Sequence, residues 1–582
     1  MERFRIKVGR SDGLLHCTPE ASQFGEYDVL CRGYIANRRE VETEARRLSG
    51  VVPKVFTEPA LFAVAYQLWG SDLARHVYGE FAVAIYDRLR GSLTLAHDEL
   101  GILPLFYSES QYGIAAASHL DDLVVETGVG QLDEMYLSEY LFEQRHFGEH
   151  TPYEHIRRVL PGEAILWESH RLQKRSVWTL GTVAPLRYRD SREYEAQLRE
   201  TVTAAVGAAL IPDAHVWCEL SGGLDSSTVY AETVRSGHER AEAFSLIYPE
   251  SDSSDEQEWI RPVLDRYPKR WHRMDADAAK PFTSLPDSFA AQPRIAIVTA
   301  GWDKAYDRLQ ATHGVDIVLT GQGGDAVFIG DTPQPYYLAD LFRGGRWSSL
   351  WEGLRQWSAA SEQSRPPGHF FRRHVLAGLR RHGKGQLLDA PLQDIPWLSR
   401  RFMNDAVLRA RAQRTNAPPS ASVADTWFLE GLLRSAHVVC SQYGERDARC
   451  RFHHPLLYRP LITFMRGVPW KYKLHAECDR LLQRRAYEEL LPPQTILRRD
   501  KVGPDQAFYA GLASSPGMVE CLTRDPRVVS RGYVDGDLWR MAVRQAMTGK
   551  TTSIRWFLAT ASLELWLRQL DLAKSSAVVP LS

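Results

Sequence analysis

Apolar positions follow two rhythms along these 582 residues, and the change of rhythm divides the chain. Up to about residue 180 the pattern is strand-rich, with short helices. Phe81-Ala82-Val83-Ala84-Ile85-Tyr86 is an apolar run bounded by Gly79 and Asp87, which predicts a buried strand. Leu93-Thr94-Leu95-Ala96 follows across a polar turn and predicts its hairpin partner. A helical stripe spans residues 61–69, and a second strand-rich patch ends near Trp178 after the Leu160-Pro161-Gly162-Glu163 turn. The stretch from Gly181 to Asp190 reads as the junction, giving domains at 1–185 and 190–582.

Beyond the junction, strand and helix patterns alternate. Helix 193–210 leads to strand 215–220, a glycine-rich turn and a helix from about Ser226. Strand 242–247 precedes helix 255–266, and helix 303–312 leads into strand 315–320. Such alternation predicts an α/β fold with a doubly wound parallel sheet, whose ligands sit at the carboxyl ends of strands beside a topological switch. After residue 335 the pattern turns mostly helical, with Pro-rich breaks at 365–368 and 417–420.

The chemistry concentrates at two strand ends. Leu220 opens into Ser221-Gly222-Gly223-Leu224-Asp225-Ser226-Ser227, where two glycines let the backbone approach an anion and hydroxyls with helix N–H groups point at it, as a pyrophosphate cradle requires. Thr320-Gly321-Gln322-Gly323-Gly324-Asp325 ends the later strand. Asp225 and Asp325 would then project from one sheet edge, a pair suited to Mg²⁺ on a bound nucleotide. Asp325 alone would read as a helix cap; beside the first loop the metal reading is preferred. Asp255-Glu256 reads as a cap and first-turn acid. Lys501, in Arg498-Arg499-Asp500-Lys501-Val502-Gly503, is either a solvated basic turn or a cation for leaving pyrophosphate and a developing oxyanion.

Composition narrows the class. The chain is 44% apolar and 25% charged with net charge -1, so no global basic field points to nucleic acid. Residues 365–414 hold 11 Lys/Arg against 3 Asp/Glu, a surplus that reads first as a solvated helical face and second as a surface for an acidic peptide. Seven cysteines without a C-x-x-C pair suggest reduced thiols. With no apolar signal core at Met1-Glu2-Arg3 and no long apolar run, the expectation is a cytoplasmic protein with no membrane association.

These motifs, in this order, resemble the asparagine synthetase superfamily. The 221–227 run resembles its S-G-G-x-D-S-S pyrophosphatase motif, 320–325 its S-G-E-G-S-D segment, and Leu482-Gln483-Arg484-Arg485-Ala486 with Arg499-Asp500-Lys501-Val502-Gly503 its C-terminal lysine region. Gly79-Glu80-Phe81-Ala82 and 97–105 resemble segments of class II glutamine amidotransferases. The resemblance implies an N-terminal αββα sandwich of the NTN-hydrolase type and a C-terminal ATP pyrophosphatase domain. It also implies ATP and Mg²⁺ bound by Leu220, Ser221, Gly222, Gly223, Asp225, Ser226, Ser227, Thr320 and Gly321, with Asp225 and Asp325 on the metal and both of them catalytic together with Lys501.

The departures are informative. Position 2 is Glu2 where such glutaminases carry a nucleophilic cysteine, Cys17 lies too far along, and N-G-E-I-Y-N reads Arg32-Gly33-Tyr34-Ile35-Ala36-Asn37. The expectation is a retained fold without glutamine hydrolysis. Relatives of that kind include β-lactam synthetases, which place a tyrosine where Gln322 stands, and lasso peptide macrolactam cyclases. Gln322 cannot take a proton, whereas a peptide α-amine of pKa about 8 is already partly neutral near pH 7. The reading is therefore a macrolactam cyclase that adenylates an Asp or Glu side chain of a precursor peptide, with a leader-binding protein and leader peptidase as further partners. Rival readings are a β-lactam synthetase, an ammonia-dependent asparagine synthetase and an ATP-sensing regulator.

Overall fold

The computed structural model describes residues 3–9, 15–48, 56–143, 148–177, 180–181, 183–250, 254–330, 334–361, 363–382, 395–403, 420–446, 450–499, 503–550 and 554–575. The N-terminal part holds two antiparallel sheets. One contains β1 (Arg5–Gly9), β2 (Leu15–Thr18), β7 (Phe106–Ser110), β8 (Gly113–Ala117) and β9 (Arg157–Arg158) in the order β2-β1-β8-β7-β9. The other runs β11-β10-β6-β5-β4-β3, from β3 (Ser22–Phe24), β4 (Tyr27–Ile35), β5 (Gly79–Asp87), β6 (Ser92–His97), β10 (Glu163–Glu168) and β11 (Arg171–Ser176).

The apolar run in β5 follows from burial on both faces. Ala82, Ala84 and Tyr86 meet Ile6, Leu105 and Ile114 of the opposite sheet, while Phe81, Val83 and Ile85 pack on helix Glu58–Trp69. Helices Leu120–Thr127 and Glu134–Glu143 cover the far face through Phe106, Ala115 and Ala117. The four layers are the expected αββα sandwich. The β5–β6 hairpin forms as read, with Val83 opposite Ala96.

Helix Ser191–Ala209 opens the second part with a capping box, Asp190 and Glu193 each accepting backbone N–H bonds. It leads to a five-stranded parallel sheet ordered β14-β13-β12-β15-β16: β12 (Val216–Glu219), β13 (Ala241–Ile247), β14 (Trp271–Asp275), β15 (Ile317–Leu319) and β16 (Arg451–His453). The chain winds outward from β12 to β14, then returns to β12's other side for β15 and β16. The switch point therefore lies between β12 and β15, where both glycine-rich loops emerge. Among the described residues no helix is long and apolar enough to cross a membrane.

The two parts touch through buried polar pairs. Glu80 accepts the His454 backbone N–H at 2.5 Å and lies 2.9 Å from its ring Nδ1. Arg158 pairs with Glu445 at 2.8 Å, and Arg459 with Glu99 at 2.6 Å. His453 lies against the Tyr34 ring with centroids 4.2 Å apart, its Nδ1 2.7 Å from the Ala209 carbonyl. Burial pushes this imidazole down to about 4 from its ordinary 6.5, with Glu80 opposing. A folded-state value below the unfolded one adds stability that is complete above pH 6.5 and lost as pH falls toward about 4. Melting temperature should thus decline between these values, and His453→Asn should flatten that decline.

Candidate active site at the sheet switch point

At the end of β12 the backbone turns through Gly222, whose φ of 67° favours glycine. A Cβ there would also fall 2.4 Å from the Trp259 carbonyl carbon. Ser226 Oγ accepts the Ser221 N–H at 3.2 Å, lies 3.1 Å from Ser221 Oγ, and donates to the Gly223 carbonyl at 3.3 Å, which fixes the loop. The helix begins at Leu224, two residues earlier than the sequence suggests, because Gly223 already has the extended conformation of an N-cap. Asp225 therefore lies in the first helical turn. No side chain caps this helix, so its first N–H groups remain available to an anion.

The loop after β15 interlocks with the first. A Cβ on Gly321 would lie 2.6 Å from the Ser226 nitrogen, and one on Gly324 2.4 Å from Asp225 Cγ. The close approach brings Asp225 and Asp325 together on one cation, Arg480. Its Nη2 reaches Asp225 Oδ2 at 3.3 Å and bonds Asp325 Oδ1, while Nη1 holds Asp479 at 2.7 Å. Gln483 donates to the other Asp225 oxygen at 3.1 Å. Gly330 leaves room for the guanidinium, since a Cβ there would stand 2.1 Å from Arg480 Cζ. Gly324→Ala should push Asp225 off this geometry and lower nucleotide-dependent turnover about 10²-fold, with unchanged circular dichroism.

A cavity of about 430 Å³ opens over these groups. Leu220, Ser221, Gly223, Asp225, Ser226, Gly321 and Asp325 line it, as do Arg480, Arg484, Arg498 and Arg499. Ser227 and Thr320, also read as nucleotide ligands, are fully buried; Thr320 Oγ1 accepts the Gln322 N–H at 3.2 Å and so shapes its loop. Glu256, read as a cap acid, lines the cavity and pairs with Arg498 at 2.6 Å. Arg498 also donates to the Ser221 carbonyl at 3.0 Å. Lys501 lies outside the described residues; Arg499 and Gly503 on either side of it line the cavity. Arg480 escaped sequence reasoning, for it stands 255 residues from the aspartate it holds. Among the described residues no cluster of three or more metal-ligating side chains occurs, so Asp225 and Asp325 would need phosphate oxygens to complete a magnesium shell.

Of the positions in the N-terminal part that depart from the amidotransferase pattern, Glu2 lies outside the described residues, and Arg32 and Tyr34 are engaged elsewhere. Arg32 donates to the Gly444 carbonyl at 2.5 Å, and the Tyr34 hydroxyl donates to Glu80 at 3.5 Å. Burial, with Asp28 nearby, pushes the Cys17 thiol up to about 11, so it stays protonated.

Fold and cavity together define an α/β architecture with a cavity at its sheet switch point, joined to an amidotransferase-type sandwich. Residues 197–568 match the asparagine synthase family and residues 18–178 the glutamine amidotransferase domain. The chain belongs to the asparagine synthase family. Asparagine synthetase (glutamine-hydrolyzing) 3 of Bacillus subtilis is 22% identical, with 82% of this chain and 75% of that protein aligned. Amidase chyE of Penicillium rubens is 26% identical over 83% of this chain and 78% of its own. A solved glutamine phosphoribosylpyrophosphate amidotransferase from B. subtilis is 12% identical, covering 55% of this chain and 84% of its own. Its TM-score of 0.23 is too low to carry the fold, which rests on the sheets themselves.

Proposed function

We propose that this protein is an ATP-dependent amide-forming cyclase that activates an Asp or Glu side chain of a precursor peptide as an acyl-adenylate and closes a macrolactam with the peptide's own N-terminal amine. The observation that carries the reading is the convergence of Asp225 and Asp325 beneath an uncapped helix N-terminus at the switch point. Two carboxylates reaching one guanidinium make a site built for positive charge. With ATP bound, Asp225 and Asp325 would hold Mg²⁺, which supplies neutralisation of phosphate charge.

The helix N–H groups and the Ser221 and Ser226 hydroxyls cradle the phosphates. Arg480, Arg484, Arg498 and Arg499 bring four positive charges to the cavity lining, suited to the triphosphate and to departing pyrophosphate. The substrate carboxylate attacks the α-phosphorus, pyrophosphate leaves, and the amine then displaces AMP from the acyl carbon. Lys501 is assigned to charge stabilisation in both steps. Most of the acceleration would come from holding amine and acyl carbon together.

An intramolecular amine is favoured over glutamine-derived ammonia because Arg32, Tyr34 and Cys17 are occupied or protonated as described. The basic stretch 365–414 suits an acidic segment of such a peptide, and a leader-binding protein and leader peptidase would act with the enzyme. The test supplies ATP, Mg²⁺ and synthetic peptides bearing a free N-terminal amine and one Asp or Glu. AMP and pyrophosphate should form in step with loss of one water from a peptide. Turnover with aspartate and ammonia, and with no peptide, would replace this reading by the asparagine synthetase one.

A further inference from the structure

Four carboxylates line the cavity among its described residues, and three of them face arginine: Asp225 and Asp325 meet Arg480, and Glu256 meets Arg498. The fourth, Glu219, is the last residue of β12, two positions before the glycine loop. Its bonding partners are phenols. Tyr306 Oη donates to Oε1 at 3.2 Å, Tyr443 Oη donates to Oε2 at 3.3 Å, and Gln322 Nε2 donates to Tyr443 Oη at 3.5 Å. A strand that otherwise reads Val216-Trp217-Cys218, all fully buried, thus ends in an acid at the cavity floor. Drawing a carboxylate out of water without a bonded cation is unfavourable, and of the two neutral donors, which meet separate oxygens, a glutamine carbonyl could still serve one. What glutamine lacks altogether is the capacity to take up a proton.

We propose that Glu219 is the proton acceptor of the amide-forming step. The inference rests on the adenylation reading above. As the amine lone pair forms the C–N bond, the acyl–oxygen bond breaks and its electron pair leaves with AMP. The proton shed by nitrogen passes to the Glu219 carboxylate, which returns it to solvent once product departs. Tyr306 and Tyr443 are positioning residues that hold the carboxylate, and Gln322 orients Tyr443.

The surrounding charges agree with this role. Burial raises the Glu219 carboxyl above its usual range, while the Tyr306 hydroxyl, His454, Tyr443 and Arg446 oppose the rise. Arg446 is committed to Asp303 at 3.1 Å and Asp307 at 2.7 Å, and His454 to Glu80. The result is a carboxylate of increased proton affinity facing a site that must deprotonate an amine.

The experiment uses the full chain with ATP, Mg²⁺ and the synthetic peptides, reading ATP–pyrophosphate exchange and amide formation separately across pH. Glu219→Gln should keep exchange, lower amide formation about 10²-fold and remove the carboxylate's acid limb from the amide-forming profile, leaving only the limb set by the peptide amine of pKa about 8. Hydroxylamine, neutral at pH 7, should restore acyl transfer in this variant. Tyr443→Phe removes a donor that lowers the Glu219 pKa, so its acid limb should move to higher pH. Amide formation at the unaltered rate in Glu219→Gln would overturn the proposal, as would loss of exchange together with amide or an unmoved limb in Tyr443→Phe. Absence of carboxylate-dependent exchange in the unaltered protein would instead remove the adenylation reading beneath it.

Discussion

Asp225→Asn should lower ATP–pyrophosphate exchange by about 10²–10³-fold while leaving a folded protein. One Asp225 oxygen meets Arg480 and the other Gln483, inside a first helical turn whose position is fixed by the interlocked glycine loops. Asparagine preserves the shape and one of the two accepting oxygens, and removes the charge. Arg480 keeps Asp325 and Asp479, so the melting temperature should move by less than about 4 °C. The separation of a large kinetic loss from a small stability change is the signature of a charge that serves phosphate and metal. A parallel collapse of both would mean that Asp225 is a structural anchor.

The second large effect concerns stability. Arg158→Met should cost about 3–5 kcal/mol, read as a shifted urea midpoint, because Glu445 then stays buried without its cation. The two side chains are 10% and 7% exposed, and the remaining Glu445 oxygen accepts from the neutral Gln292 amide. Glu445→Leu added to Arg158→Met should recover most of the loss, since the penalty comes from an orphaned charge and not from a missing attraction. Arg158 belongs to the sandwich and Glu445 to the segment before β16, so the pair fastens the two halves.

The central architecture was legible because its interior strands announce themselves. β12, β13 and β15 are short apolar runs that stop at glycine or polar turns, and both loops at their ends carry the hydroxyls and acids that the cavity uses. The outer strands were not legible. β14 reads Trp271-His272-Arg273-Met274-Asp275 and β16 Arg451-Phe452-His453, polar enough at the sheet edges to conceal their pairing. Glu219 lay within a strand that was read correctly, yet only the fold brings Tyr306 and Tyr443 to it from 87 and 224 residues away. Arg480 is likewise a charge whose meaning depends on distant partners. Asp325 is not the cap that its position also allowed, for Gly323 holds the N-cap of helix Gly324–Val327 without a side-chain bond, and Asp325 sits in the first turn facing Arg480.

The most direct test follows an oxygen atom. A peptide labelled with oxygen-18 in its Asp or Glu carboxylate is incubated with the protein, ATP and Mg²⁺, and the nucleotide product is weighed. Activation through an acyl-adenylate at Asp225 and Asp325 predicts AMP carrying one labelled oxygen for each amide formed. Unlabelled AMP, or ADP with labelled inorganic phosphate, would contradict it.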